Sequence, residues 1–216
     1  MQQQAGPGPG SRRTPDSTAT RVELFSDAVL AIAITLLIIE VKVPHVEEGD
    51  LARALADQWP SYVAYALSFV IIGIMWVNHH GIFERVAHVD RPLLLLNLGL
   101  LMGIAFLPFP TALFADYLRE GGANSHIAAA VYGATMAYTA AGFAALLGYL
   151  GRRPELLVAD AQPALVRAAM VRAWAGVAVY LASIGLAFVS APACLVLYIL
   201  LAAYFTVVAG SRRITG

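Results

Sequence analysis

The sequence predicts an all-α membrane protein of six transmembrane helices, and three observations lead there. Hydrophobic residues make up 59% of the 216-residue chain and charged residues only 13%, with a mean hydropathy of +0.70. That is more apolar surface than a soluble domain of this size buries. The apolar residues gather in runs of the roughly 20 residues that a spanning helix needs. Prolines fall at or beside the ends of the runs, at Pro44, Pro60, Pro92, Pro154, Pro163 and Pro192, where a missing N–H costs least.

Taken in order, residues 1–20 are rich in Gln, Gly, Pro, Ser and Thr and read as a disordered tail, without the basic region and apolar core of a signal peptide. The first span is expected at 21–43. Thr20 and Glu23 have the spacing of a capping box, which places its start, and Pro44 ends it. At about 1.5 Å per residue it measures about 35 Å, enough to cross with modest tilt. The loop "PHVEEGDLARALADQWP" is acidic, with a short amphipathic helix expected at 50–57; such a loop at an outer mouth would concentrate cations. The second span is expected at 59–80 and the third at 91–114. Pro108 and Pro110 in "FLPFPT" should bend or end the third before its apolar pattern stops. The fourth is expected at 126–150. The fifth and sixth, 165–190 and 192–210, are separated only by "SAP", which demands a tight antiparallel hairpin, and 211–216 form a second tail. Residues 21–210 thus make one membrane domain. The later half has no counterpart of the first span, which disfavours an inverted-repeat transporter.

Charge sets the orientation. In a six-span arrangement Arg12, Arg13, Arg21, Arg85, Arg91, Arg152, Arg153, Arg167, Arg172, Arg212 and Arg213 share one side, against Lys42, Arg53 and Arg119 on the other. The positive-inside rule then makes both termini cytoplasmic in a multi-pass protein of the cell membrane. A net charge of zero with scattered basic clusters argues against a nucleic-acid partner. The single cysteine, Cys194, excludes an intrachain disulfide, a CxxC motif and a zinc-ligand pattern. With no nucleophile motif, metal site or paired carboxylates, neither an enzyme nor a cofactor is expected.

The first span keeps polar residues that lipid does not favour. At 100° per residue Ala28, Ile32, Thr35 and Ile39 share a stripe with Leu36 at its edge. Ser26 points away from that stripe, and Phe25 and Asp27 lie on its flanks. Thr35, near mid-bilayer, offers a hydroxyl that can serve a cation or bond back to the carbonyl of Ala31. Asp27 lies two turns into the helix, where an ionisable group needs a partner. The second span ends in "IMWVNHHGIF", bringing Trp76, Asn78, His79 and His80 to the same depth, and the third adds Arg91 and Asn97. Hydrogen bonds among these groups would lock the first helix to its neighbours. The paired histidines lack a carboxylate-histidine ligand spacing, so a metal site is disfavoured.

"RVELFSDAVLAIAITLL", "WVNHHGIF" and "LLLLNLGLLMGIAFLPFPT" together resemble the prokaryotic six-span branch of the lysosomal potassium channel family, transmembrane protein 175. The likeness covers about residues 21–115 by motif and rests on Arg21, Phe25, Ser26 and Asp27 as an Arg-x-x-x-Phe-Ser-Asp signature. It implies a homotetramer whose four first helices line a central pore for potassium. Ile32 would form the apolar constriction, Thr35 a ring of hydroxyls that selects the ion, and Leu36 and Ile39 further pore layers. Ser26, Asp27, Trp76, a histidine at 79 or 80, and Asn97 would carry the family's anchoring network. Lys42 conflicts with this, because a helix continued to Pro44 aims it near the pore stripe, where four ammonium groups would repel cations. A proton-conducting or proton-coupled transporter using the membrane carboxylate and histidines is the alternative, and a non-transporting scaffold a third reading.

Overall fold

The computed structural model describes residues 17–118 and 120–211, with side chains described through Thr206. The chain is helical nearly throughout. Helix α1 (Ser17–Leu36) tightens into a 3-10 turn (Leu37–Glu40), and a short α2 (Leu51–Asp57) follows. Then come α3 (Trp59–Phe83), α4 (Arg91–Phe106), α5 (Pro108–Leu118), α6 (Gly122–Arg152), α7 (Pro163–Ala187) and α8 (Ala191–Ser211). Among the described residues five helical stretches are long and apolar enough to cross a membrane: 17–40, 59–83, 91–118, 122–152 and 163–187. The apolar helix Ala191–Thr206 follows them.

Several boundaries differ from those read in the sequence. Helix α1 is already helical at Ser17, so Thr20 lies inside the helix rather than at its cap, and residues 17–20 are helix rather than tail. The expected tail at 1–16 and the one at 212–216 lie outside the described residues. At its other end the helix stops at Glu40, before Pro44, the backbone turns extended at Val41, and Lys42 lies outside the helix. Its ammonium lies 3.8 Å from the Glu40 carboxylate. The third span is two helices. Leu107 joins them, and Pro108 and Pro110 occupy the first turn of α5, where their missing N–H groups leave no intrahelical bond unmade. Thr111 stitches the joint by donating both its N–H, at 3.1 Å, and its hydroxyl, at 2.8 Å, to the Leu107 carbonyl. The α7–α8 turn is Phe188–Ser190, and Ser190 caps α8 by accepting from the Ala193 N–H at 3.3 Å.

Packing centres on α6, which contacts α4, α5, α7 and α8. Polar groups in its core are paired, as an apolar surround requires. Ser68 of α3 bonds the Thr111 hydroxyl at 2.8 Å and the Tyr132 hydroxyl at 3.1 Å, and Ser183 of α7 bonds Tyr198 of α8 at 2.9 Å. Gly133 lets α6 approach that last pair, since a Cβ there would lie 2.9 Å from both oxygens. At one end of the bundle the α3–α4 loop is pinned to the α6–α7 loop. A bridge joins Val86 to Leu157, with Ala87 N–H to the Leu156 carbonyl at 2.8 Å and Val158 N–H to the Arg85 carbonyl at 3.0 Å. Helix α1, packed chiefly on α3 and α4, adds Leu30 and Ala33 to the core from its edge, and its 3-10 turn adds Leu37.

Candidate functional site

Two faces of α1 have opposite fates. Ser26, Leu30, Ala33 and Leu37, spaced by four, three and four residues, are at most 1% exposed. Two positions along, with the same spacing, Ala28, Ile32, Thr35 and Ile39 are all exposed, Ile32 at 58% and Ile39 at 63%, with Leu36 at 40%. An offset of two residues is a turn of about 200° on a helix, so the stripe away from α3 and α4 has no partner among the described residues. Past Leu36 the 3-10 turn advances by about 120° per residue, which brings Ile38 to the exposed side beside Ile39.

On the exposed stripe Thr35 donates its hydroxyl proton to the carbonyl of Ile32 at 2.9 Å, rather than to that of Ala31. The donor is satisfied inside the helix, while the oxygen keeps lone pairs directed outward. A ligand to a cation needs lone pairs of that kind, and the side chains around it are aliphatic.

The buried side holds the anchor. Asn97 of α4 donates its amide to the Ser26 Oγ at 2.9 Å, and Ser26 passes its own proton to the Val22 carbonyl at 2.8 Å. The Asn97 carbonyl meets His79 Nε2 at 2.8 Å. An amide oxygen only accepts, so Nε2 carries the hydrogen and Nδ1 is left as a buried lone pair without a partner. The His79 ring stacks on Phe83, centroids 4.4 Å apart. Three helices are thereby joined through one buried asparagine.

A second line of contacts runs beside it, nearer solvent. The Trp76 indole N–H donates to Asp27 at 3.0 Å, and His80 lies between two carboxylates, 2.8 Å from Glu23 and 3.2 Å from Glu84. Glu23 and Asp27 are one turn apart on α1, and His80 and Trp76 one turn apart on α3, running the other way. The two pairs register the helices antiparallel. Both histidines are therefore engaged, but with different partners, and the ring of His80 stacks over Trp76.

Some residues read from the sequence take no part. Arg21 and Phe25 are exposed and make no hydrogen bond to this cluster, and Asn78 turns instead towards a cavity between α3, α6, α7 and α8. Glu23 was missed as a partner because the capping-box spacing gave it another role. Its place one turn before Asp27 was the available signal.

Comparison with known proteins now bears on both features. The family model for the endosomal/lysosomal potassium channel TMEM175 matches residues 21–108, from the head of α1 to the start of α5. A potassium channel of Streptomyces collinus is 52% identical over 186 residues, 86% of this chain and 90% of that protein. The chain belongs to the TMEM175 family. The crystal structure of a lysosomal potassium-selective channel TMEM175 homolog from Chamaesiphon minutus superposes with a TM-score of 0.81 at 38% identity, covering 90% of this chain and 99% of that one. A human relative named endosomal/lysosomal proton channel TMEM175 is 37% identical over 112 residues, 46% of this chain but 22% of its own length. TMEM175 membership together with the apolar helices makes this a multi-pass, all-α membrane protein. The family-matched segment carries both the exposed stripe and the buried anchor.

Proposed function

We propose that the protein is a passive cation channel with a modest preference for potassium, formed by four copies around a central pore lined by α1. One observation carries this reading: α1 is fastened to its own chain by Ser26, Asn97 and His79, while the opposite stripe with Ile32, Thr35, Leu36 and Ile39 is exposed and has no partner among the described residues. Four such stripes facing one another would supply each other's packing.

In that arrangement four Ile32 side chains close the pore by excluding water, since apolar constrictions gate by dewetting. Four Thr35 oxygens replace part of an ion's hydration shell once the helices part, which favours potassium because it releases water more readily than sodium. Leu36 and Ile39 form further layers. Lys42 is no obstacle. It lies past the helix beside Glu40, and the following loop adds Glu47, Glu48 and Asp50, so the mouth stays attractive to cations. With the positive-inside rule this mouth is extracellular, both termini are cytoplasmic, and the membrane is that of the cell.

Ion flux in liposomes tests the assignment. Ile32→Asn should raise the resting leak, and Thr35→Ala should narrow the potassium-to-sodium ratio; no change in either would remove the reading. Proton conduction is the second reading, favoured by the naming of the vertebrate relatives. Against it, the hydrogen-bond chain from His79 through Asn97 and Ser26 ends on the Val22 carbonyl and gives no path across the bundle. A pH-sensitive dye in the same liposomes separates the two.

A further inference from the structure

Away from α1, the helices α3, α6, α7 and α8 line an open-sided cavity of about 340 Å³. That volume is within the range of ligand pockets, which are often found between helices of a bundle. Helices α3 and α7 face each other across it, and the pinned loops at Val86 and Leu157 mark one end.

Its walls are mostly apolar, with a few polar side chains among them. The deeper wall is formed by Ile71 and Met75 on α3, Met136 on α6, Gly176 on α7 and Ala202 on α8, with Tyr180 of α7 its polar exception among the described lining residues. Towards the pinned end stand Asn78, Arg85 and Arg172, and no aspartate or glutamate is among the described lining residues. Arg85 follows the last turn of α3 and is half-buried, its guanidinium returning to the Gly81 carbonyl, so its charge has no carboxylate partner among the described residues. Arg172 is also half-buried, nine residues into α7, about 14 Å from its start. Asn78, seven residues before Arg85, is about 10 Å from the same end. Beyond Asn78 the cavity continues about 10 Å along α3, to Ile71, past walls that are apolar apart from the ring and hydroxyl of Tyr180 on α7.

Two guanidinium groups on facing walls of a mostly apolar slot, one from the loop after α3 and one from α7, match an amphiphile with an anionic head. Guanidinium is weakly hydrated and binds phosphate through paired N–H donors, and basic pockets between membrane helices on the cytoplasmic side recognise anionic headgroups. We propose that the cavity holds one acyl chain of an anionic phospholipid, with its phosphate at the Arg85 and Arg172 end. The chain lies along Met75, Met136 and Gly176, and the site is independent of the α1 stripe.

Native mass spectrometry of the whole protein in mild detergent, titrated with phosphatidylglycerol, phosphatidylcholine or oleate, tests this. One phosphatidylglycerol should bind per chain, and Arg85→Gln/Arg172→Gln should weaken it about tenfold or more. Phosphatidylcholine should bind weakly to both proteins alike. Gly176→Leu supplies a second variant with both arginines intact. A Cβ at Gly176 has its nearest neighbour, Ala140 Cβ, at 3.9 Å, so the leucine should fit, fill the slot and displace the lipid. Should the glutamine pair fail to fold, this variant decides alone. Equal binding of the two phospholipids, retention of phosphatidylglycerol by Gly176→Leu, or tighter binding of oleate than of phosphatidylglycerol would overturn the proposal.

Discussion

Replacing Asn97 by leucine removes the side chain whose hydrogen bonds join α1, α3 and α4 while keeping its heavy-atom count and its branch at Cγ. Two hydrogen bonds go, the 2.9 Å bond to Ser26 and the 2.8 Å bond to His79. Ser26 keeps its bond to Val22 and loses only a donor. His79 suffers more, since it is 0% exposed, already has an unpartnered Nδ1, and would be left with an unpartnered Nε2–H as well. A buried donor left unpaired costs ~1–3 kcal/mol, whereas interhelical bonds in membranes average ~0.6 and reach ~1.7 kcal/mol. Weighted towards the membrane values, the loss should be about 2 kcal/mol. Reversible unfolding in mixed micelles measures it, and a double-mutant cycle with His79→Phe sharpens it. Phenylalanine removes the orphaned groups, so the double variant should be about 1 kcal/mol more stable than the sum of the single effects. Strict additivity, or a single-variant loss below about 0.5 kcal/mol, would refute the anchor.

Three further outcomes follow from other parts of the bundle. Thr35→Val should change folding stability by less than about 0.5 kcal/mol, because the hydroxyl is exposed and bonds only within its own helix; a larger loss in the same unfolding assay would mean Thr35 packs against something. Gly133→Ala should cost about 1–3 kcal/mol, since the added carbon meets the Ser183 and Tyr198 oxygens at 2.9 Å, and an unchanged unfolding midpoint would show that α6 and α7 can shift apart. Asp90, the N-cap of α4, is subject to burial that would raise its pKa. The Tyr149 hydroxyl, the Leu93 N–H and Arg153 outweigh that and hold it below the ordinary 3.8. Its carboxylate therefore adds stability at neutral pH that is lost as pH falls below 3.8, and acid unfolding should be steeper for the wild type than for Asp90→Asn; parallel curves would contradict this.

Much of this architecture was legible in the residues because lipid leaves few choices. An apolar run of the right length with proline at its edges specifies a spanning helix, and Pro108 announced the break at Leu107. The offset between the Ser26 and Thr35 stripes was also readable, since it depends only on the helical period. Three features were not readable, each for a physical reason. Proline marks where a helix can no longer continue, not where it ends, and α1 stopped at Glu40, which moved Lys42 off the helix. His79 and His80 differ by 100° on a helix, so choosing partners for them required the positions of α1 and α4. The cavity takes its wall from four helices distant in sequence, and no single segment carries a trace of it.

The central claim is that the exposed stripe of α1 faces the conducting pathway and the buried stripe does not. Cys194 is 0% exposed, so the wild type serves as an unreactive background for thiol labelling. Potassium flux should be measured for Thr35→Cys and Ala33→Cys before and after a cationic methanethiosulfonate reagent is added on either side. Modification should abolish most of the flux through Thr35→Cys and leave that of Ala33→Cys and the wild type unchanged. Labelled Thr35→Cys that conducts undiminished, or equal block of both variants, would contradict the account.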